Sequence, residues 1–216
     1  MKIFRANSKG FTLVELLIVI ALIAILSVAV LATINPIEQT NKARDAKFRN
    51  DTAEVLSAYE RYYAAQNAYP WNTNTSGVGT SVKVDAVVGL NGTDPGFGVY
   101  DKNVAAGFTG ALIATSELKS SFQGKEPFAS AQVPEIDMMY TYHSAAGNNY
   151  VCYHPKANAN RTGTIATQLK CMSGIGSGVT LSDLNKNGCL AETNWATLAI
   201  GAARANLICV PEGDVQ

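Results

Sequence analysis

The most pronounced hydrophobic pattern in the chain is an apolar run close to its start. Residues 11–34 make 24 apolar or small positions, interrupted only by the acidic residue Glu15. A helix of that length rises about 36 Å at about 1.5 Å per residue. That length is enough to cross a hydrocarbon core about 30 Å thick. The pattern therefore predicts one membrane-spanning helix with a carboxylate inside it.

The pattern changes to mixed polar and apolar positions after this run. The sequence Asn35-Pro36-Ile37-Glu38 has the order of an N-cap, a proline at the first helical position and a capping-box glutamate. We expect Pro36 either to kink one long helix or to begin a second. From Val55 onward, apolar and aromatic residues recur at spacings of three and four, which predicts a helix laid on a sheet. Tyr69-Pro70 is expected to end it. The charged first half carries little apolar surface, so we expect it to be exposed.

Residues 70–216 are rich in Gly, Thr, Ser, Asn and Val, and turn signals lie at 72–79, 91–92 and 94–96. These features predict a β-rich globular head. The clearest strand pair is 137–143 with 150–154, whose alternation favours a half-buried antiparallel ribbon. Residues 164–172 predict another strand, whereas 110–122 and 195–210 fit a helix or a strand equally well. The expected fold class is α+β, with a long N-terminal helix whose second half packs on an antiparallel sheet.

The boundary before the apolar run is informative in its own right. A short leader with three basic residues, Lys2, Arg5 and Lys9, runs directly into Gly10-Phe11. An ordinary secretory signal has its apolar core before the cleavage site, so the apolar part is removed. Cleavage between Gly10 and Phe11 would instead retain it. The domain prediction is a leader at 1–10, an apolar helix at 11–34, an amphipathic continuation at 35–69 and the head at 70–216.

These residues resemble the start of the type IV prepilin family, which includes type IV pilins, competence pilins and type II secretion pseudopilins. The resemblance rests on Gly10, on Phe11-Thr12-Leu13-Val14-Glu15 and on the apolar run to Ile34. It implies a pilin-like fold, cleavage after Gly10 by a prepilin peptidase, and N-methylation of Phe11. It further implies a precursor in the inner membrane, an assembly platform of a pilus or secretion system, and a mature surface filament built from copies of the chain.

Glu15 is the fifth residue after the expected cleavage site. A carboxylate inside the membrane costs a few kcal/mol or more, so it is expected to have a positively charged partner. Cleavage before Phe11 creates a free amine. In a staggered stack of helices, Glu15 of one subunit can reach the amine of the next, which would neutralise both charges and fix the axial register. Phe11 and Glu15 are therefore the predicted filament-assembly residues.

Several alternatives remain open at this stage. Val30-Leu31-Ala32 has the small-residue character of a signal peptidase site, which would release a soluble protein starting at Thr33. The apolar run, however, is longer than the usual signal core of about 7–15 residues, and it contains a glutamate. A generic single-pass anchor would need neither Gly10 nor Glu15. Within the family, a type II secretion pseudopilin or a minor pilin is the alternative. In another class, a membrane-anchored surface binding protein is the alternative.

Four cysteines occur in the head: Cys152, Cys171, Cys189 and Cys209. Since export is predicted, disulfides are favoured over free thiols. Four cysteines allow three pairings. The favoured pairing joins neighbours, Cys152 with Cys171 and Cys189 with Cys209, while Cys171–Cys189 with Cys152–Cys209 stays open. Zinc is disfavoured because the chain has no CxxC pair and its histidines lack ligand spacing. Both histidines are expected at the surface or partly buried.

One loop in the head carries a partial calcium-binding pattern. Residues 183–188 follow the start of a D-x-[DN]-x-[DN]-G calcium loop, which makes Asp183, Asn185, Asn187 and Glu192 candidate ligands. The far end departs from the pattern, because the twelfth position is Asn194 and Glu192 comes two places early. The alternative is a tight Asn-Gly turn between two strands, with no cofactor.

Composition and motifs argue against catalysis and against nucleic-acid binding. The chain has two histidines and lacks H-E-x-x-H, G-x-S-x-G, P-loop and G-x-G-x-x-G sequences, so we expect no enzyme activity. It carries 17 basic and 17 acidic residues, and removal of Lys2, Arg5 and Lys9 leaves 14 against 17. A mature chain with a net charge of about −3 has no basic footprint for nucleic acid.

Overall fold

The computed structural model describes residues 10–70, 86–89, 110–126, 128, 137–144, 146–173, 176–177, 180–195 and 204–213. The basic residues of the leader and the turns predicted at 72–79, 91–92 and 94–96 lie outside these ranges. The chain divides into two compact units, Met1–Thr40 and Asn41–Gln216.

The first unit contains helix α1, Leu13–Thr33, which is 21 residues long. Its segment Leu13–Leu31 is long and apolar enough to cross a membrane, judged by length and composition. Every side chain of that segment is exposed. The helix predicted from the apolar run is confirmed, since a run of apolar residues without Gly or Pro satisfies its backbone groups internally as a helix. That it spans a membrane stays a prediction.

Helix α2, Pro36–Gln66, begins at the proline rather than continuing α1 through a kink. Ile34, which follows α1, is extended, with φ −98° and ψ 125°. The side chain of Asn35 accepts a hydrogen bond of 3.2 Å from the backbone amide of Glu38, as an N-cap does. After the helix, Asn67 adopts the left-handed conformation with φ 50°, so α2 ends close to the predicted Tyr69-Pro70 boundary.

The described strands form one main sheet and two small ones. In chain order the strands are β1 Ala86–Gly89, β2 Met139–His143, β3 Asn149–Tyr153, β4 Lys170–Met172, β5 Gly176–Ser177, β6 Leu181–Asp183, β7 Leu190–Ala191, β8 Arg204–Ala205 and β9 Ile208–Val210. The five-stranded sheet has the order β5-β1-β2-β3-β9, and its neighbours are antiparallel. Strands β4 and β6 pair antiparallel, and β7 and β8 pair parallel.

The predicted hairpin is confirmed as β2 and β3, but both of its faces are buried rather than one. Met139, Val151 and Tyr153 belong to the core that includes Phe48, Val55, Tyr59 and Tyr62 of α2. The alternate residues join a second cluster on the other face, which contains Tyr140, Tyr142, Tyr150, Cys152, Met172, Leu181, Leu207 and Cys209. Because successive side chains of a strand point to opposite faces, one hairpin serves both clusters.

Three further segments of the head are one predicted strand and two stretches that fitted a helix or a strand equally well. The strand predicted at 164–172 is wrong for its first part, where helix α4, Gly163–Ala166, precedes β4. A hydrogen bond of 2.6 Å from the hydroxyl of Thr167 to the carbonyl of Thr164 closes that turn, which opposes extension. Residues 110–122 contain helix α3, Ala111–Ala114, and the start of a 3₁₀ turn, Ser120–Gly124. The described part of 195–210 contains β8 and β9.

The first half of α2 is not uniformly exposed, which corrects the sequence expectation. Asp45, Phe48, Asp51 and Thr52 are all buried, and Phe48 is completely inaccessible. The inward face of α2 within the second unit therefore begins ten residues before Val55, and it includes two carboxylates. Asp51 accepts a hydrogen bond of 2.7 Å from the ammonium group of Lys125, and Asp45 accepts from backbone amides after β3. These partners offset the cost of burying charge.

Candidate functional site

The segment before α1 is non-helical and exposed. Gly10 and Phe11 precede the helix, and the Phe11 side chain is 80% exposed. Thr12 is the N-cap, with extended angles of φ −81° and ψ 150°. Among the described residues, the predicted cleavage bond therefore lies outside regular structure and directly before the helix cap.

Thr12 and Glu15 form a capping box at this end of α1. The backbone amide of Glu15 donates to Thr12 Oγ1 at 3.2 Å. In return, Glu15 Oε2 accepts from the backbone amide of Thr12 at 2.9 Å and from its hydroxyl at 2.8 Å. The helix N-terminus itself also favours negative charge. The one carboxylate in the apolar run is thus partly satisfied by its own helix, while Oε1 makes no hydrogen bond to the described residues.

The other polar side chains near the C-terminal half of α1 are satisfied within the helix as well. Ser27 Oγ donates to the carbonyl of Ile23 at 2.7 Å, and Thr33 Oγ1 donates to the carbonyl of Val30 at 2.7 Å. Hydroxyls bonded in this way present little polarity to their surroundings. The lateral surface of α1 is consequently apolar from end to end, apart from Glu15 at its first turn.

The cysteines form two disulfides, and the pairing that the sequence analysis favoured is wrong. Cys152 bonds Cys209, and Cys171 bonds Cys189, which is the alternative left open. The reason is sheet order: β3 pairs with β9, which places Cys152 directly opposite Cys209. Cys171 instead lies on β4, which pairs with β6. All four side chains are buried, so both bonds staple the core of the head.

The candidate calcium loop has the geometry of a turn. Asn185, Asn187 and Gly188 adopt left-handed angles, with φ of 65°, 51° and 79°. The carboxylate of Asp183 accepts from the ammonium groups of two lysines: Lys170 at Oδ1, and Lys186 at Oδ2 at 2.9 Å.

Glu192 Oε1 accepts from the backbone amides of Thr193 and Asn194, at 2.8 and 2.7 Å. Among the described residues, no group of three or more His, Cys, Asp or Glu side chains is placed to hold a metal ion. Calcium binding at Asp183, Asn185, Asn187 and Glu192 stays a prediction.

Sequence analysis missed a polar network around Asp45. This carboxylate is 1% exposed and accepts hydrogen bonds of 2.9 Å from the backbone amides of Lys156 and Ala157 and from the side-chain amide of Asn160. The guanidinium of Arg44 lies 3.2 Å from the same carboxylate. Asp45 therefore fastens α2 to the segment that follows β3.

A second carboxylate extends the network. Arg44 also bonds Asp137 at 2.7 Å, and Lys156 pairs with Asp137 at 2.5 Å. The Arg44 guanidinium lies 4.0 Å from the centre of the Phe48 ring, a cation–π contact. The sequence signal was available: Asp45, Phe48, Thr52 and Val55 fall at helical spacings of three and four. The first of them, Asp45, is charged, and a charged side chain is expected on the exposed face of a helix.

His154 lies beside this network and is completely buried. Its Nδ1 lies 3.0 Å from the backbone carbonyl of Asn206, and its own carbonyl accepts from Arg44 at 3.2 Å. Burial lowers the pKa of the imidazole to about 4, because a charged imidazolium would be held away from water. The positive charge of the nearby Arg44 guanidinium lowers the pKa further. His143 is buried too, which corrects the expectation of surface histidines.

Comparison with known proteins bears on the N-terminal site. The prokaryotic N-terminal methylation motif matches residues 5–31. The chain is 30% identical over 120 residues to a protein named fimbrial protein from Neisseria meningitidis serogroup B. That match covers 55% of this chain and 62% of the relative, so the chain spans less than two thirds of it. No solved structure matches the chain.

Neither comparison points to an enzyme, in agreement with the motif analysis. The methylation motif covers the same residues that form the exposed Gly10-Phe11 segment, the Thr12–Glu15 capping box and the apolar helix. The α+β arrangement, in which an apolar helix is followed by a second helix and an antiparallel sheet, is consistent with a pilin fold. The motif and the fimbrial relative are both similar to this chain, and both agree with the resemblance to the type IV prepilin family that residues 10–34 carry.

Proposed function

We propose that this protein is a structural subunit of a type IV pilus or a related filament. In this proposal a prepilin peptidase cuts between Gly10 and Phe11 and methylates Phe11. The mature subunit waits in the inner membrane through α1, and an assembly platform then stacks the α1 helices of many copies into a filament core. The β-rich heads form the filament surface.

A single observation carries the proposal: the one carboxylate of an otherwise apolar, exposed helix lies in its first turn, within the residues that match the methylation motif. A helix that is apolar on all sides must be covered by lipid or by other apolar helices. A helix that only anchors a protein in the membrane does not require a carboxylate at Glu15. A helix that leaves the membrane and stacks on its neighbours requires a contact that fixes their axial register, and Glu15 can supply it.

The capping box gives Glu15 two successive roles. While the subunit is in the membrane, the amide and hydroxyl of Thr12 satisfy Oε2 and reduce the cost of holding a carboxylate there. In the stack, Oε1 is available to accept from the methylated amine of the neighbouring Phe11. An ion pair of this kind in apolar surroundings fixes geometry because any other register leaves both charges unpaired.

The test is intact-mass and N-terminal peptide mass spectrometry of the full chain from native membranes and from sheared surface filaments. The expected mature chain starts at Phe11, is one methyl group heavier than its sequence, and is enriched in the sheared fraction. A start at Thr33 would indicate a secreted soluble protein. An uncut N-terminus, or a mature chain confined to membranes, would indicate an anchored surface protein, and each of these results contradicts the proposal.

A further inference from the structure

The exposed side of α2 carries charged residues, some of which have no ion-pair partner among the described residues of the second unit. The carboxylate of Glu54 pairs with Lys125 at 3.3 Å, and Arg61 pairs with Glu117 at 3.0 Å. Lys47 and Glu60 are also exposed, but neither forms an ion pair or a side-chain hydrogen bond with the described residues. Lys42 is likewise exposed and without such a partner among the described residues, so two cations and one anion of this helix are available to an outside partner.

Helical geometry places Lys47 and Glu60 on opposite flanks of the same exposed side. At about 100° per residue, Lys47 lies about 100° to one side of the buried Phe48, and Glu60 about 120° to the other. Between them lie the small side chains of Ala46, Ala53 and Ser57 together with the larger ones of Asn50, Glu54 and Arg61. Lys42 lies on the same flank as Glu60. A second helix packed along this side would place its own flanking charges beside Lys47 or Glu60.

We infer that Lys47 of one copy pairs with Glu60 of a neighbouring copy when the chain assembles. This inference rests on the proposed filament, in which all copies point the same way and every contact is heterologous, so that one flank of a subunit meets the opposite flank of the next. The pair fits that rule because its two members occupy opposite flanks. The 13 positions between them correspond to an axial shift of about 20 Å between the two α2 helices.

The occupant is a second copy because the charges are complementary within one chain. A partner of uniform charge would meet one attractive and one repulsive group on this side of α2. An exposed ion pair contributes modestly to affinity but favours one alignment over others. In this assembly the Lys47–Glu60 pair would select the register of the α2 helices, separately from the contribution of Glu15 at the N-terminus.

The test is charge reversal in the full chain, read as the sheared-filament fraction divided by the total cellular amount of subunit. We expect Lys47→Glu and Glu60→Lys each to lower that ratio about two- to fivefold, through like-charge contacts. The double variant, which restores opposite charges in exchanged positions, should recover the wild-type ratio. Lys119→Glu, a reversal at an exposed lysine outside α2, serves as the matched control and should have no effect.

Two results would overturn the pairing while filaments still form: single variants that assemble like the wild type, or a double variant no better than the worse single variant. A wild-type chain that yields no sheared filament would instead refute the proposed function, and this inference with it. The two failures are distinguishable because the first concerns variants and the second concerns the unmodified protein.

Discussion

Each unit of the molecule holds a carboxylate among apolar residues, and the two do so in opposite ways. Glu15, in the first unit, is held by Thr12, which is three positions away in sequence. Asp45, in the second unit, is held by Lys156, Ala157 and Asn160, which lie 111 to 115 positions away. One carboxylate is satisfied by local sequence, and the other only by the completed fold.

This difference in partners indicates that the first unit can fold from local interactions, whereas the second needs contacts between distant parts of the chain. A capped apolar helix forms in a bilayer without help from the rest of the chain, because its backbone and hydroxyl groups are satisfied internally. The carboxylate of Asp45 on α2 has none of these distant hydrogen-bond partners until β3 and the segment after it have folded against α2. An insertion step that precedes folding of the head is compatible with this division, and the variants below act on one unit at a time.

The largest expected effect follows from removing the carboxylate of Asp45. Asp45→Ala leaves two backbone amides and the Asn160 amide without their acceptor, and it also removes the anion beside Arg44. We expect the free energy of unfolding to fall by about 3–5 kcal/mol, as for other broken buried charge networks. Urea unfolding of the full chain in detergent, followed by near-ultraviolet circular dichroism, measures it.

A matched control lies two residues further along the same helix. Lys47→Ala removes an exposed charge that has no ion-pair partner among the described residues, so the unfolding free energy should change by less than about 0.5 kcal/mol. If both variants lost the same stability, the network would have no special role. In that case the contrast between the two units would not hold.

The second effect belongs to the first unit. Glu15→Gln preserves a capping box, since glutamine accepts the same hydrogen bonds, but it removes the charge. If the methylated amine of the neighbour then lies unpaired in apolar surroundings, assembly should lose about 2.5–3.5 kcal/mol per contact. At 1.4 kcal/mol per factor of ten, that is roughly a hundredfold loss of sheared filament.

The helical content and the unfolding of the head should be unchanged by Glu15→Gln, because the capping hydrogen bonds remain. Thr12→Ser, which keeps the hydroxyl that bonds Oε2, should assemble normally. Filament yield from Glu15→Gln equal to that of the wild type would show that capping alone explains the carboxylate.

The sequence predicted the first unit and the hairpin well for the same physical reason: both are specified by patterns shorter than 30 residues. The helix cap, the apolar run and the Asn35-Pro36 start are local features, and the strands around Tyr140 and Val151 alternate clearly. The parts that the sequence could not supply depend on which strands become neighbours. The disulfide pairing is an example, because Cys152 meets Cys209 only through the pairing of β3 with β9.

The candidate site divides along the same line. Phe11 and Glu15 follow from a motif whose geometry is set within one helical turn. The burial of Asp45 could not be derived, because a charged residue is counted as exposed until its distant partners are known. The burial of His154 was missed similarly, since its environment comes from Arg44, Asn206 and the strands around it.

His154 gives the next prediction, a dependence of head stability on pH. Its folded pKa of about 4 lies below the ordinary value of 6.5 given for an unperturbed histidine. The unfolded chain therefore binds the proton more readily, and stability is lost as the pH falls from 6.5 toward 4. From this group alone, the free energy of unfolding should be about 2 kcal/mol lower at pH 5 than at pH 7.5.

The measurement is urea unfolding of the full chain at several pH values, compared with His154→Gln. The variant is less stable at neutral pH but should show a flatter profile between pH 5 and 7.5. An equally steep profile in the variant would assign the pH dependence to other groups.

The smallest expected effect concerns calcium at the loop that contains Asp183, where local and distant partners meet on one carboxylate. Lys186 binds it from three positions away and Lys170 from the paired strand β4, so a calcium ion must displace at least one ammonium group. Because the loop offers few carboxylates, affinity should be weak, and millimolar calcium should raise the unfolding free energy by less than about 0.5 kcal/mol. Thermal unfolding with calcium, with magnesium and with chelator measures it. A larger stabilisation that calcium alone produces, and that Glu192→Gln abolishes, would establish a metal site. In that event the calcium ion would replace Lys186 as the partner of the Asp183 carboxylate.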